Sequence, residues 1–185
     1  LLEEIIVTAE KREQSLQDVP ISIVAYTGNQ LQNQNVDNIQ GIAVETPSLA
    51  FSRAGGEAQL YIRGIGTNAF GVTVDPSVAM HQDGVYLGRS QMGLTQFLDV
   101  ERVEILRGPQ GTLYGRNATA GAINIISRAP TEDWEGYVRG GIGNWNRREF
   151  EGAVSGAVSD GVLTRLSFKS LEDDGFTEDL DPRGG

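Results

Sequence analysis

The pattern of hydrophobic and polar positions changes near residue 130. Before that point, apolar residues occur in short runs separated by glycine-rich connections, which is typical of short strands in a mixed domain. The runs that predict strands lie at residues 21–25, 49–53, 59–63, 78–82, 85–87, 101–107 and 122–127. We therefore predict a compact α+β unit that ends near Pro130.

Short helices are predicted between some of these strands. Thr27, followed by Gln30 three residues later, forms a capping-box pattern for a helix that extends through Leu31. A second short helix is expected at residues 37–44, and a brief helical piece at residues 94–98.

Beyond Pro130 the alternating segments become longer. They span residues 134–143, 148–158 and 162–171, and the last two meet at Asp160-Gly161, a hairpin-turn sequence. Lengths of about ten residues with one apolar face suit transmembrane β-strands. Three strands cannot close a barrel, and an open edge in lipid leaves backbone groups unsatisfied. Either the chain is part of a longer protein, or these strands lie in water.

The chain begins with a β-branched run at residues 3–9, followed by a polar stretch at residues 10–18. This pattern favours an extended strand on a tether. The residues alone also allow a simpler interpretation, in which the run is the first strand of the domain.

Composition excludes several classes of function. The formal net charge is −10 without a basic cluster, which argues against nucleic-acid binding. The absence of cysteine excludes disulfides and thiolate chemistry but leaves the compartment open. We predict neither a membrane-spanning helix nor an uncleaved signal peptide, because no long apolar stretch is present.

Two patterns imitate catalytic or cofactor sites. The glycine-rich sequence at residues 64–69, with Asp83 downstream, resembles a dinucleotide fingerprint. That fingerprint needs a following helix, which Gly71 and Pro76 disfavour. His81 and Asp83 could supply two metal ligands, but no further ligands cluster with them.

The acidic pairs Glu101/Glu104 and Asp173/Asp174 are interpreted as solvated faces rather than acid–base couples. We expect no enzymatic activity, no metal and no bound cofactor.

Residues 99–130 carry a resemblance that is long and specific. The sequence DVERVEILRGPQGTLYGRNATAGAINIISRAP is similar, nearly throughout, to the signature that closes the plug of TonB-dependent outer-membrane receptors. Three upstream stretches resemble other landmarks of that plug in the expected order: residues 18–23, 61–66 and 82–88. Residues 4–9 resemble the TonB box. A small departure is Ala120-Gly121-Ala122, where the family more often has a glycine pair.

The resemblance implies an organisation in three parts. Residues 1–18 would be the TonB box and its tether, residues 19–130 the plug domain, and residues 131–185 the start of a barrel of about 22 strands whose lumen the plug fills. The box would face the periplasm. The expected fold is thus an α+β plug, with a small mixed sheet and short helices, followed by the first antiparallel strands of a transmembrane barrel.

The resemblance also implies roles for particular residues. The TonB box would bind the energy-transducing partner TonB, which works with ExbB and ExbD, through Glu4, Ile5, Ile6, Val7, Thr8 and Ala9. Arg63 and Arg107 would pair with glutamates of the barrel wall and hold the plug in place. The plug signature comprises Gly64, Asp83, Gly84, Gly108, Pro109, Gly111, Tyr114, Gly115, Gly121 and Asn124.

The expected function is uptake across the outer membrane of a large, scarce nutrient such as a ferric siderophore. The full barrel would contact membrane lipids and act as a monomer, and the iron chelate would be cargo rather than a cofactor. A second interpretation is a stand-alone periplasmic module that binds TonB and transports nothing.

Overall fold

The computed structural model describes residues 6–8, 12, 14–69, 71 and 74–174. The chain divides into two compact units, Leu1–Arg128 and Ala129–Gly185. Of the predicted partner-binding residues, Glu4, Ile5 and Ala9 lie outside the described part, as does the end of the chain from residue 175.

The first unit contains ten described strands. They are β1 Ile6–Val7, β2 Gln14–Ser15, β3 Ile23–Thr27, β4 Leu49–Ala54, β5 Glu57–Ile62, β6 Ile65–Gly66, β7 Val78–Gln82, β8 Val85–Tyr86, β9 Val100–Arg107 and β10 Gly121–Ser127. Among the described residues they form a five-stranded sheet in the order β3-β9-β10-β7-β8, a three-stranded sheet β4-β5-β6, and the pair β1-β2.

Strands β9 and β10 lie in the interior of the five-stranded sheet, and both of their faces are covered. Val103, Glu104, Ile105 and Leu106 follow one another in β9 and are all fully buried. β10 runs antiparallel to β9 and parallel to β7, so the sheet is mixed. The prediction of a mixed α+β unit is therefore confirmed.

The helices of the first unit are short. α1, Gly28–Asn33, begins with the predicted capping box, since Thr27 and Gln30 bond each other's backbone N–H groups. α2, Ile39–Glu45, is capped by Asn38. A single helical turn, α3, spans Gly111–Tyr114 and has no counterpart among the predicted elements.

The helical piece predicted at residues 94–98 was wrong in position. The structure has a 3₁₀ turn at Ser90–Leu94 instead. Residues beyond it are held extended, because Gln96 bridges Asn38 and the backbone N–H of Phe97 donates to Asp37.

One large cluster of buried side chains lies between the five-stranded sheet and the remaining elements. It includes Leu31 of α1, Ile42 of α2, Ile62 of β5, and Ile105 and Ile123 of the central strands. A smaller cluster covers the opposite face of the sheet and is built largely from alanine.

The second unit is an antiparallel sheet of β11 Glu135–Ile142, β12 Arg148–Ser159 and β13 Val162–Glu172. β12 and β13 are joined at the predicted Asp160-Gly161 turn, where Gly161 has φ +77°. Within the described ranges, the helices are all too short or too polar to cross a membrane.

Candidate functional site

A row of polar side chains crosses one face of the five-stranded sheet. The strand register places Glu104 opposite Asn124, and Asn124 opposite His81. The row continues to Ala25 on one side and Tyr86 on the other. Adjacent strands lie about 4.8 Å apart, so these side chains are direct neighbours.

The next row on the same face is apolar and mostly small. Leu106 lies opposite Ala122, and Ala122 lies opposite Ala79. Alanine side chains leave room above the sheet for another layer. We call the surface formed by these two rows the small-residue face.

The strand β1 supplies that layer. Val7 is fully buried against the small-residue face, in a cluster with Ala79, Leu106 and Ala122. Its neighbour Ile6 points away and is 42% exposed. β1 is held at its edge by a two-residue antiparallel ladder with β2.

Thr8, directly after β1, bonds the polar row with its backbone and its side chain. Its backbone N–H donates to Glu104 Oε1 at 2.7 Å, and its hydroxyl donates to the same oxygen at 3.2 Å. The Tyr114 hydroxyl donates to the Thr8 carbonyl at 3.4 Å, and Arg102 Nη2 donates to the Thr8 hydroxyl at 3.3 Å.

Glu104 is a fully buried carboxylate with its own partners on the sheet. Arg102 Nε donates to Oε1 at 2.9 Å, and Asn124 Nδ2 donates to Oε2 at 3.3 Å. Arg102 also pairs with Glu101 through Nη1. Burial of an unpaired carboxylate would be very unfavourable, and the ion pair with Arg102 offsets that cost for Glu104.

Tyr114 connects Asn124 to the N-terminal strand. Asn124 Nδ2 donates to the Tyr114 hydroxyl at 2.9 Å. Burial raises the pKa of Tyr114, the bond from Asn124 lowers it, and the nearby charge of Glu104 raises it. The tyrosine therefore stays neutral and can donate to Thr8.

The sheet of the second unit has two chemically different faces. Apolar side chains alternate along one face and remain solvent-exposed, including Val138, Phe150 and Leu166. The other face carries an ion-pair network in which Lys169 Nζ lies 3.0 Å from Glu149 and 3.6 Å from Glu151. This is the alternation expected of barrel strands with one face toward lipid.

Comparison with known proteins decides the family. The model of the TonB-dependent receptor plug domain matches residues 15–122, which is more than half of the chain. The chain belongs to this family. Its β1 and Thr8 thus lie on the sheet of a plug domain, and the chain is part of an outer-membrane receptor.

Individual relatives support the same assignment. The chain is 26% identical over 174 residues to the ferric-pyoverdine 358 receptor of Pseudomonas putida, a match that covers 92% of this chain and 20% of that receptor. It is 27% identical to the vitamin B12 transporter BtuB of Vibrio vulnificus, covering 98% of this chain and 30% of BtuB. The chain therefore spans between a fifth and a third of the length of these relatives.

A solved structure agrees with the fold. The ferric yersiniabactin uptake receptor FyuA of Yersinia pestis superimposes with a TM-score of 0.73 at 29% identity, covering 83% of this chain and 24% of FyuA. The expected fold, a plug followed by the opening strands of a receptor barrel, is confirmed as a fragment of such receptors.

The predicted TonB box differs from expectation in one respect. The sequence pattern favoured a free extended strand on a tether, but the structure pairs Ile6–Val7 with β2 and docks Val7 on the plug sheet. The physical reason is the match between one apolar side chain and the small-residue face, together with the bonds of Thr8. The partner-binding role itself remains a prediction.

The two predicted plug arginines lie at turns. Arg63 has φ +53° between β5 and β6 and is exposed. Arg107 ends β9 and is partly buried; its Nε is buried and has no hydrogen-bond partner among the residues that the structure describes. A buried guanidinium nitrogen of this kind is suited to an acceptor outside the described chain.

Five signature glycines have backbone conformations that other residues adopt at a cost. Gly64, Gly84, Gly108, Gly115 and Gly121 all have positive φ, between +78° and +157°. Pro109 and Gly111 lead into α3, and Gly121 begins β10.

Asp83 shapes a hairpin rather than a cofactor site. It has φ +49° in the turn between β7 and β8, and its carboxylate accepts from the backbone N–H and the hydroxyl of Ser127, both at 2.8 Å. No helix follows Gly64 within residues 65–69, 71 and 74–77, so the dinucleotide fingerprint lacks its pyrophosphate site.

His81 packs between the rings of Tyr86 and Tyr114, with centroids 5.4 and 5.3 Å away. A search of the described part of the chain finds no group of three or more potential ligands that could hold a metal ion.

Glu104 was missed by the analysis of the sequence. The pair Glu101/Glu104 was interpreted as a solvated face, which is wrong for Glu104 because its exposure is 0%. The alternation along β9 could have indicated this: Glu104 shares a strand face with Arg102 and Leu106, whereas its neighbours Val103 and Ile105 lie on the other face.

Proposed function

We propose that this chain is the plug and the first barrel strands of a receptor that takes up a large, scarce nutrient across the outer membrane, energised by TonB through residues 4–9. The observation that carries the proposal is the family match over residues 15–122, with the two-residue β-strand Ile6–Val7 ahead of it in the chain. A plug needs such a segment if a periplasmic partner is to act on it.

The ligand class is inferred from the relatives. Two of them are named for ferric siderophores, pyoverdine and yersiniabactin, and one for vitamin B12. All three ligands are large metal complexes. We propose a ferric siderophore as the cargo of this receptor, carried as substrate and not as a resident cofactor.

The partner interaction is proposed to be strand addition. An extended segment can add to an exposed sheet edge through main-chain hydrogen bonds, with little demand on side chains. Five or six such bonds at ~1 kcal/mol each give a modest and reversible attachment. ExbB and ExbD would energise TonB, and the polar residues 10–18 would transmit the pull.

Docking on the plug is of similar strength, so exchange is feasible. Burial of Val7 contributes about 2 kcal/mol. The short bond from Thr8 to the Glu104 carboxylate contributes about 1.5–3 kcal/mol because its acceptor is charged. Neither state of the segment would therefore dominate by a large margin.

We propose that Arg63 and Arg107 pair with glutamates of the barrel wall. The Nε of Arg107 supports this role, because it is buried and has no hydrogen-bond partner in the described part of the chain. The proposal also includes a monomeric receptor without enzymatic activity, with the box facing the periplasm and the completed barrel in contact with lipid.

The alternative is a stand-alone periplasmic module that binds TonB. The exposed apolar face of β11–β13 speaks against it, because soluble domains rarely expose large contiguous apolar patches. An antibody against residues 1–130 distinguishes the two. A heat-modifiable band in outer-membrane extracts, several times heavier than 20.0 kDa, is expected for the receptor, and a soluble band near that mass would contradict it.

Uptake itself is tested with Ile6→Pro. Proline removes a main-chain donor from the segment, whereas Ile6→Ala removes only an exposed side chain. We expect I6P to abolish uptake of radiolabelled ferric siderophore without lowering receptor abundance, and I6A to retain uptake. Full uptake by I6P would refute strand addition; loss by both variants would point to the side chain instead.

A further inference from the structure

We infer that Glu104 acts as a latch on Thr8, which holds Ile6–Thr8 on the plug sheet and opposes capture of this segment by the partner. The inference rests on the proposed function of residues 4–9. It goes further by assigning Glu104, a residue outside the segment, as the group that sets how often the segment is available.

The contacts concentrate on one residue of the segment. Both donors of Thr8, the backbone N–H and the hydroxyl, reach the same oxygen of Glu104. The carbonyl of Thr8 accepts from Tyr114, whose hydroxyl in turn accepts from Asn124. Ile6, by contrast, is partly exposed, and β1 is only two residues long.

The acceptor site is built independently of the segment. When Thr8 leaves, Glu104 still accepts from Arg102 Nε at 2.9 Å and from Asn124 Nδ2 at 3.3 Å. The carboxylate therefore keeps a partner after release. Loss of a buried ion-pair partner is strongly unfavourable when the remaining charge is left unpaired, and that does not happen here. Release of the segment can therefore be local, with the five-stranded sheet intact.

The apolar contact acts in the same direction but is less specific. Val7 fills a space above Ala79, Leu106 and Ala122. Any β-branched or similar side chain could fill that space, whereas the bonds of Thr8 require an acceptor oxygen at one position. The polar contact therefore sets the register of the docked strand, and the apolar contact adds affinity.

Availability of the segment is measured with a thiol at its buried position. The chain contains no cysteine, so Val7→Cys introduces a unique thiol once any cysteine elsewhere in the intact receptor is replaced. Val7 is fully buried when docked, and a thiol there reacts with maleimide only during release. Val44→Cys, at a position 82% exposed, gives the rate of a free thiol, and Ala120→Cys, at 2% exposure, reports opening of the core.

Two variants weaken the latch in different ways. Thr8→Val keeps the backbone and the shape but removes the hydroxyl. Glu104→Gln removes the charge and leaves residues 4–9 unchanged. We expect each to accelerate labelling of Cys at position 7 by roughly tenfold. Labelling at position 120 should not change.

An unchanged labelling rate at position 7 in both variants would overturn the latch. Parallel acceleration at positions 7 and 120 would also overturn it, because the whole plug would then have loosened. Thr8→Val guards against a folding defect in Glu104→Gln, since Thr8 lies outside the five-stranded sheet.

Capture by the partner is measured with the purified periplasmic domain of TonB and the intact, ligand-free receptor in detergent. We expect Glu104→Gln to tighten binding by several-fold, because the docked state no longer competes as strongly. Faster labelling with unchanged TonB affinity would overturn the claim that docking opposes the partner. Absence of TonB binding in every form would refute the proposed function instead, while the labelling data would still decide the latch.

Discussion

Gly121 offers a sharp test of how the plug sheet is packed. It begins β10, where it lies opposite Arg107 of β9 and Val78 of β7. A Cβ atom at this position would lie 2.3 Å from the carbonyl oxygen of Leu106 and 2.8 Å from Ile62 Cδ1. The nearer atom belongs to the backbone, so it cannot rotate away.

The expected effect of Gly121→Ala follows from that distance. Real Cβ contacts essentially never fall below 3.0 Å, so β9 and β10 must separate by about 0.7 Å at this point. Overpacking of this kind costs about 1–3 kcal/mol, and a weakened ladder bond adds about 1 kcal/mol. Against a typical total of about 5–15 kcal/mol, the variant should fold but be clearly less stable.

Gly111→Ala is the matched control. A Cβ at position 111 meets nothing within 4 Å, and alanine suits the first position of the helical turn α3. Both substitutions add one methyl group to a signature glycine, but only Gly121 combines the close contact with a positive φ of +157°, so G121A tests these two constraints together.

Stability is measured in the intact receptor by urea-dependent labelling of a cysteine at Ala79, which is fully buried in the neighbouring strand β7. With an m-value of about 2 kcal/mol/M, G121A should lower the urea midpoint by about 1–2 M, and G111A should leave it unchanged. Equal midpoints for the two variants would refute the close approach of β9 and β10 as the reason for glycine at position 121.

Three further expectations concern other parts of the chain. The folded pKa of Tyr114 is raised above its unfolded value, so its contribution to stability is present below about pH 10 and is lost above it. Tyr114→Phe should remove this pH-dependent contribution, measured as the difference between urea midpoints below and above pH 10. The same pH dependence of the midpoint in the variant and the unsubstituted chain would contradict the prediction. Arg107→Gln should increase entry of bulky antibiotics through the receptor, whereas Arg53→Gln, at an exposed hairpin position, should not; equal sensitivity would argue against plug retention by Arg107. Leu166→Lys, on the apolar face of β13, should reduce the amount of heat-modifiable receptor, since lysine costs about 2–4 kcal/mol at the bilayer midplane; Ser167→Lys, on the polar face, should not, and equal loss would contradict the assignment of faces.

Local chemistry made part of the fold predictable. The capping box of Thr27 and Gln30 predicted the start of α1, and the Asp160-Gly161 pair predicted the hairpin between β12 and β13. Each depends on contacts between residues close in sequence. The long alternation of residues 148–158 and 162–171 was equally clear, because one face of that sheet is exposed and apolar.

Elements set by distant contacts were not predictable. β2 and β6 have two residues each and carry no periodicity. The segment at residues 94–98 has a helical composition, but the bridge between Gln96 and Asn38 keeps it extended. These elements exist because a partner elsewhere in the chain accepts their backbone bonds.

Glu104 shows how the functional site could have been found. A carboxylate in a strand was taken as evidence of solvent, which holds when one face of the sheet is wet. Yet Ala25 lies in the same row as Glu104, and Ala79 and Ala122 pair in the next row on that face, so three small side chains leave a shallow surface that a further strand can cover. Alanine beside a charged pair on a central strand therefore indicates a covered face with a specific polar contact. In this plug the covering strand is β1, the segment that is proposed to leave the sheet. The alanine side chains that make the face shallow are therefore also what makes β1 separable.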